Sequence, residues 1–137
     1  MILRIDLTSS EPLYRQIRTQ VVQGVASGEL APGDPLPSVR SLASDLGVNM
    51  HTVNKAYAVL RDEGYVTIRG RSGAYIADAA RAATTARVQE HMDQISTELE
   101  RLATEFKARG GTEEEFVELA RTQAKTAFRA QKGDGHK

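Results

Sequence analysis

Residues 36–77 read LPSVRSLASDLGVNMHTVNKAYAVLRDEGYVTIRGRSGAYIA, and this stretch decides the fold. Ser38 is placed to cap a helix whose apolar stripe is Val39, Leu42, Ala43 and Leu46. Gly47 stops it. Val48 and Asn49 leave room only for a tight turn, and Asn49 can cap the next helix. That helix buries Val53, Ala56, Tyr57 and Leu60 and ends at Gly64. YVTIR, residues 65–69, has the β-branched and aromatic content of a strand, and AYIA, residues 74–77, is its return. Gly70 and Gly73 supply the turn between them. Two helices joined by a three-residue turn and followed by a hairpin make a helix-turn-helix with a wing.

Upstream, Leu13, Ile17, Val21 and Val25 recur every four residues and predict a first helix that Gly28 ends. Ser10, Glu11 and Pro12 form its start, with the proline in the first turn. Residues 1–9 alternate weakly through Ile2, Ile5 and Leu7, as a short strand or an ordered arm. GELAPGDPLPS, residues 28–38, is too rich in proline and glycine for helix. It reads as a tight turn with a short strand, Leu30 and Leu36 facing the core.

Downstream, Val88, Met92, Ile95, Leu99, Leu102 and Phe106 step by fours and threes, which is a heptad seam. Gly110 and Gly111 break it. Thr112 and Glu115 form a capping box, and Phe116, Leu119, Ala120, Ala124 and Ala127 mark a second helix ending near Arg129. The fold class is therefore mainly α with a small β-hairpin: a winged helix-turn-helix over residues 1–77, an antiparallel helical hairpin for dimerisation or effector response over 78–130, and a disordered tail over 131–137. A seam from Val88 to Phe106 exceeds what one thin hairpin can bury. Phe116 and Ala120 are expected to join it in a homodimer interface.

Composition narrows the function. The 137 residues carry 18 basic and 18 acidic side chains, so any DNA-binding face comes from the placement of a few cations. Cysteine is absent, which removes disulfides, thiol catalysis and thiolate metal sites. No apolar run approaches the roughly 18 residues of a membrane span, and the N-terminus lacks a signal-peptide pattern, so a cytoplasmic protein is expected. His51, His91 and His136 are scattered and form no metal set. Glu113, Glu114 and Glu115 suit a helix start, not a carboxylate site. With no phosphate loop or nucleophile–base pair in view, no catalytic residue, metal or cofactor is expected.

The third helix has the surface a major groove requires. At 100° per residue, His51, Asn54, Lys55 and Ala58 lie opposite the buried stripe. Residues at the amino-terminal end reach base edges first, which singles out Asn49, Met50, His51, Thr52 and Asn54. An asparagine amide can pair with adenine, and a threonine can bond a base or phosphate. Thr52 has a second reading as a helix cap, and Lys55 as a plain solvated lysine. Arg69 and Arg71 flank Gly70 at the wing tip, where arginine can enter a narrow minor groove. Arg69 alternatively pairs with an acid on the sheet.

The stretch resembles the GntR family of bacterial repressors, with their pattern LPS-x-R-x-LA-x-x-LGV-x-x-x-TV-x-x-A-x-x-x-L-x-x-EG and a glycine-bearing wing. PLYRQI and LAPGDPLPS upstream also match, so the likeness spans residues 10–77. It is nearest the short YtrA-type subgroup, in which about sixty helical residues follow the DNA-binding domain. The resemblance implies that Arg40, with Ser38 beside it, contacts DNA. Met50 and Asn54 depart from it, because many members carry arginine at the first place and some at the second. It implies a homodimeric repressor of an inverted repeat in double-stranded DNA. With no separate sensor domain, a small-molecule effector is expected in a cleft between the winged helix and the hairpin, or across the dimer. The alternative is a winged helix used for protein–protein assembly without DNA readout.

Overall fold

The structure, a computed structural model, describes residues 3–70, 73–78 and 85–134. Helix α1 spans Leu13–Ser27, α2 Val39–Leu46 and α3 Met50–Asp62. Strands β1, Val66–Arg69, and β2, Gly73–Ile76, form an antiparallel hairpin with Val66 opposite Ile76 and Arg69 opposite Gly73. Helix α4, Thr85–Ala108, and helix α5, Glu113–Asp134, follow.

One core closes the first part of the chain. Ile17 and Val21 from α1, Leu42 and Ala43 from α2, and Val53, Ala56, Tyr57 and Leu60 from α3 are buried together with Leu30, Leu36, Val66, Ala74 and Ile76. Its contributors alternate at helical spacing in α1–α3 and at a spacing of two in β2, as side-chain direction demands. The loop before α2 adds a third, short rung to the hairpin. Leu36 donates its N–H to the Ala74 carbonyl at 2.9 Å and Ile76 donates to Asp34 at 2.9 Å. Pro35 and Tyr75 form the bridge there. The expected short strand is thus a single bridge, because the prolines on either side leave few N–H groups to extend it.

The N-terminal segment is an arm, fastened in a way its alternation did not suggest. Gln16 and Gln20, one turn apart on α1, each grip one arm residue with both ends of the amide. Gln20 accepts from the Arg4 N–H at 2.9 Å and donates to the Arg4 carbonyl. Gln16 does the same for Asp6, at 2.8 and 3.0 Å. Two side chains stand in for a neighbouring strand, and Leu3 and Ile5 pack on the core as a result. The start of α1 also differs from expectation: Pro12 occupies the cap itself, and Ser9 Oγ accepts from the Glu11 N–H at 3.0 Å just outside it.

At the other end, the capping box forms as expected. The Thr112 N–H donates to Glu115 at 2.9 Å and the Glu115 N–H donates to Thr112 Oγ1 at 3.2 Å. Phe106 turns back onto Phe116, ring centroids 6.0 Å apart, and closes the hairpin. Helix α5 runs on to Asp134, past Arg129 and through the first four residues expected to be disordered. The apolar stripe ended earlier, but no helix breaker stands between Arg129 and Gly133.

The turn between α2 and α3 rests on Gly47, at φ +70°. Its N–H and that of Val48 close back on α2, the latter to the Ala43 carbonyl at 3.0 Å. A Cβ on Gly47 would meet nothing within 4 Å, so only backbone conformation resists a side chain there. Gly47→Ala is expected to lower stability by about 1–2 kcal/mol, and Gly47→Asn by less, read from urea unfolding midpoints. Equal losses for both would show that the left-handed turn is not what Gly47 supplies.

Candidate nucleic-acid interface

Helix α3 is the centre of the site. Its inward stripe is sealed in the core, and Met50, His51, Asn54, Lys55 and Arg61 stand exposed on the other side. The caps fix where this surface begins. Asn49 Oδ1 accepts from the His51 N–H at 2.7 Å, so its amide is engaged in capping at the same place where a base contact was expected of it. Ser38 likewise caps α2, its Oγ accepting from the Ser41 N–H at 3.0 Å. Thr52 is half-buried on the first turn of α3.

The angle between the two helices has its own tether. Tyr57 is buried on α3, and its hydroxyl donates to the Pro37 carbonyl at 2.7 Å, just ahead of the α2 cap. Burial pushes the phenol well above its ordinary pKa, so it remains a donor. The start of α2 is thereby tied to the middle of α3.

The cations are less uniform than the sequence suggested. Arg40 is exposed on α2. The Lys55 ammonium sits 4.2 Å from the centroid of the Tyr14 ring, a cation–π contact with α1 that steers it. Arg69 lies 5.0 Å from the Tyr75 ring centroid across the hairpin, so its stem is laid on the sheet. Gly70 is exposed at the end of β1, and Arg71 lies outside the described residues.

One feature escaped the sequence reading. Ile68 shares the face of Val66 but is 42% exposed, because the hairpin projects beyond the core. With Asn54, Tyr57, Ala58 and Arg61 it lines a groove of about 450 Å³ between α3 and the wing, reaching Ser38 at one end. The signal was available: Asn54, Ala58 and Arg61 fall at i, i+4 and i+7, one outer stripe of the helix.

Of the seam, Phe106 and Phe116 meet in the hairpin, while Val88, Met92, Ile95, Leu99 and Leu102 are between 43% and 60% exposed. Ala120 is exposed on α5. Among the described residues no group of His, Asp and Glu could hold a metal ion, and no helix is long and apolar enough to cross a membrane.

A polar helix presented beside a two-stranded wing, with a second helix braced behind it, defines a winged helix-turn-helix of the kind found in DNA-binding regulators. The model of the gntR family of bacterial regulatory proteins matches residues 13–76. The chain is 45% identical over 92 residues to the HTH-type transcriptional regulator Rv1152 of Mycobacterium tuberculosis, covering 66% of this chain and 76% of that protein. It is 43% identical over 101 residues to the HTH-type transcriptional repressor YtrA of Bacillus subtilis, covering 73% and 75%. A transcriptional antiterminator from Listeria monocytogenes superposes with a TM-score of 0.81 at 26% identity, over 93% of both chains. The chain belongs to the GntR family and is a DNA-binding transcription regulator of the YtrA-like type.

Tyr57→Phe keeps the ring and removes the tether. Loss of this hydrogen bond is expected to cost about 1 kcal/mol of stability and to weaken DNA binding, seen in denaturant melts and in titrations of labelled duplex. Unchanged binding with unchanged stability would mean that the Pro37 bond does not set the helix angle.

Proposed function

We propose that this protein is a homodimeric repressor of an inverted-repeat operator, gated by a small-molecule effector. The observation that carries the reading is the row of exposed apolar side chains from Val88 to Leu102 on α4. The fifteen residues from Val88 to Leu102 extend this row over about 21 Å, which is a large apolar surface for a helix to leave in water. Pairing it with the same row of a second copy covers it and joins two winged helices. Residues 1–77 then form the DNA-binding part and 78–130 the dimerising part.

The two α3 helices would enter successive major grooves about 34 Å apart. Asn54, His51 and Met50 face the bases, with Met50 suited to a thymine methyl. Arg40, Ser38, Thr52 and Lys55 serve the phosphates, and Gly70 brings the wing, with Arg69 and Arg71, toward the minor groove. Asn49 acts chiefly as the cap that positions them. The effector is assigned to the cleft of about 730 Å³ between Arg18, Glu63 and Tyr65 on one side and Arg87, Glu90 and His91 of α4 on the other. A ligand there would alter how the winged helix sits on its coil, and so the separation of the two heads.

Two measurements test this. Sedimentation equilibrium should show a dimer that Ile95→Glu converts to monomer without loss of helix content. Binding to a palindrome upstream of its own gene should fall linearly on a log–log plot against salt, and Arg40→Ala should weaken it by about ten-fold. A monomeric wild-type protein, or equal affinity for the palindrome and a scrambled duplex, would overturn the reading.

A further inference from the structure

We infer that Arg61, near the carboxyl end of α3, is a phosphate anchor, and that the groove between α3 and the wing is the track of one sugar–phosphate strand. The inference rests on the DNA-binding reading of α3 and extends it to a residue that the helix-turn-helix pattern does not mark. If α3 lies in a major groove and the wing reaches the adjacent minor groove, the strand that separates those grooves must pass between the two elements. The structure has a channel at that place, about 450 Å³ in volume.

Its chemistry suits a sugar–phosphate strand. Ala58 and Ile68 supply apolar surface for the faces of deoxyribose rings. Ile68 is a large aliphatic residue left in water on a projecting wing, and a sugar would cover it. Ser38, Asn54 and Arg61 line it among mostly apolar residues and glycines. A sugar–phosphate strand offers acceptor oxygens to such polar groups and sugar faces to the rest.

Arg61 is available for the task. Its guanidinium contacts the adjacent Asp62 at 3.2 Å, with the two side chains 50% and 69% exposed. An exposed pair of this kind is held by no more than about 1 kcal/mol, so a phosphate can replace the carboxylate as partner. Asn54 and Arg61 are seven residues apart on one stripe, about 10 Å along the helix axis. An arginine at the far end can therefore reach backbone while the amino-terminal end reads bases.

The test is a salt titration of binding with the full-length protein, on the operator palindrome and on a scrambled duplex of equal length. Arg61→Gln should lower affinity for both by on the order of ten-fold and reduce the log–log salt slope by about one per protomer. Arg61→Lys should keep most of the slope. Arg121→Ala removes the same charge from α5, away from the channel, and should leave the slope unchanged. Ile68→Glu places a carboxylate in the track and should weaken both duplexes further than Arg61→Gln does. A wild-type slope for Arg61→Gln overturns the inference, as does an equal loss of slope for Arg121→Ala, which would indicate overall charge. If wild type fails to distinguish palindrome from scrambled duplex, the operator reading fails while the slope still reports on Arg61.

Discussion

The molecule depends on one side of α3 being wholly committed to the core. Val53, Ala56, Tyr57 and Leu60 are buried, three of them completely, in a single cluster that α1, α2 and the hairpin all share. A helix fixed so firmly on one face cannot rotate about its axis without exposing that surface to water. The opposite face is therefore presented at a constant angle, which a surface that must match groove edges needs. Most polar residues on it lie outside that core, and Lys55 is tied back to α1 through Tyr14.

The second constraint is the angle of α2 against α3. The left-handed Gly47 lets the chain reverse in three residues, and the bond from Tyr57 to the Pro37 carbonyl ties the start of α2 to the middle of α3. Caps at Ser38 and Asn49 use their side chains on their own backbones. Residues that looked like base or phosphate contacts because they stand at helix starts are thus partly occupied in making those starts. Lys55 and Arg69 are similar cases, each laid against an aromatic ring. Side chains held in this way have already lost part of their rotamer freedom, and that reduces the entropy any further contact would cost them.

The coil region works by the reverse logic. Phe106 and Phe116 satisfy each other and close the hairpin, but the remaining seam, from Val88 to Leu102, stays about half exposed among the described residues. A two-helix hairpin has too little interior to cover a heptad stripe along its whole length. The winged helix hides its apolar surface in one core, whereas α4 leaves much of its apolar row in water.

Much of this was legible in the residue order. Apolar spacing of four and three located α1 to α5, glycines marked where α1 to α4 stop while α5 runs past its expected end, and the caps Ser38, Asn49 and Thr112–Glu115 were identifiable because they act within four residues of chain. The family pattern is equally local. What tertiary structure alone decided is whatever depends on contact between distant segments: the clasp of Gln16 and Gln20 on the N-terminal arm, the stacking of Lys55 on Tyr14, the tether from Tyr57, and the channel that unites Arg61 with Ile68. Sequence periodicity reports which way a side chain leaves its own helix or strand. It carries no record of which other element stands opposite, because that is set by how several amphipathic faces pack into one core at the same time.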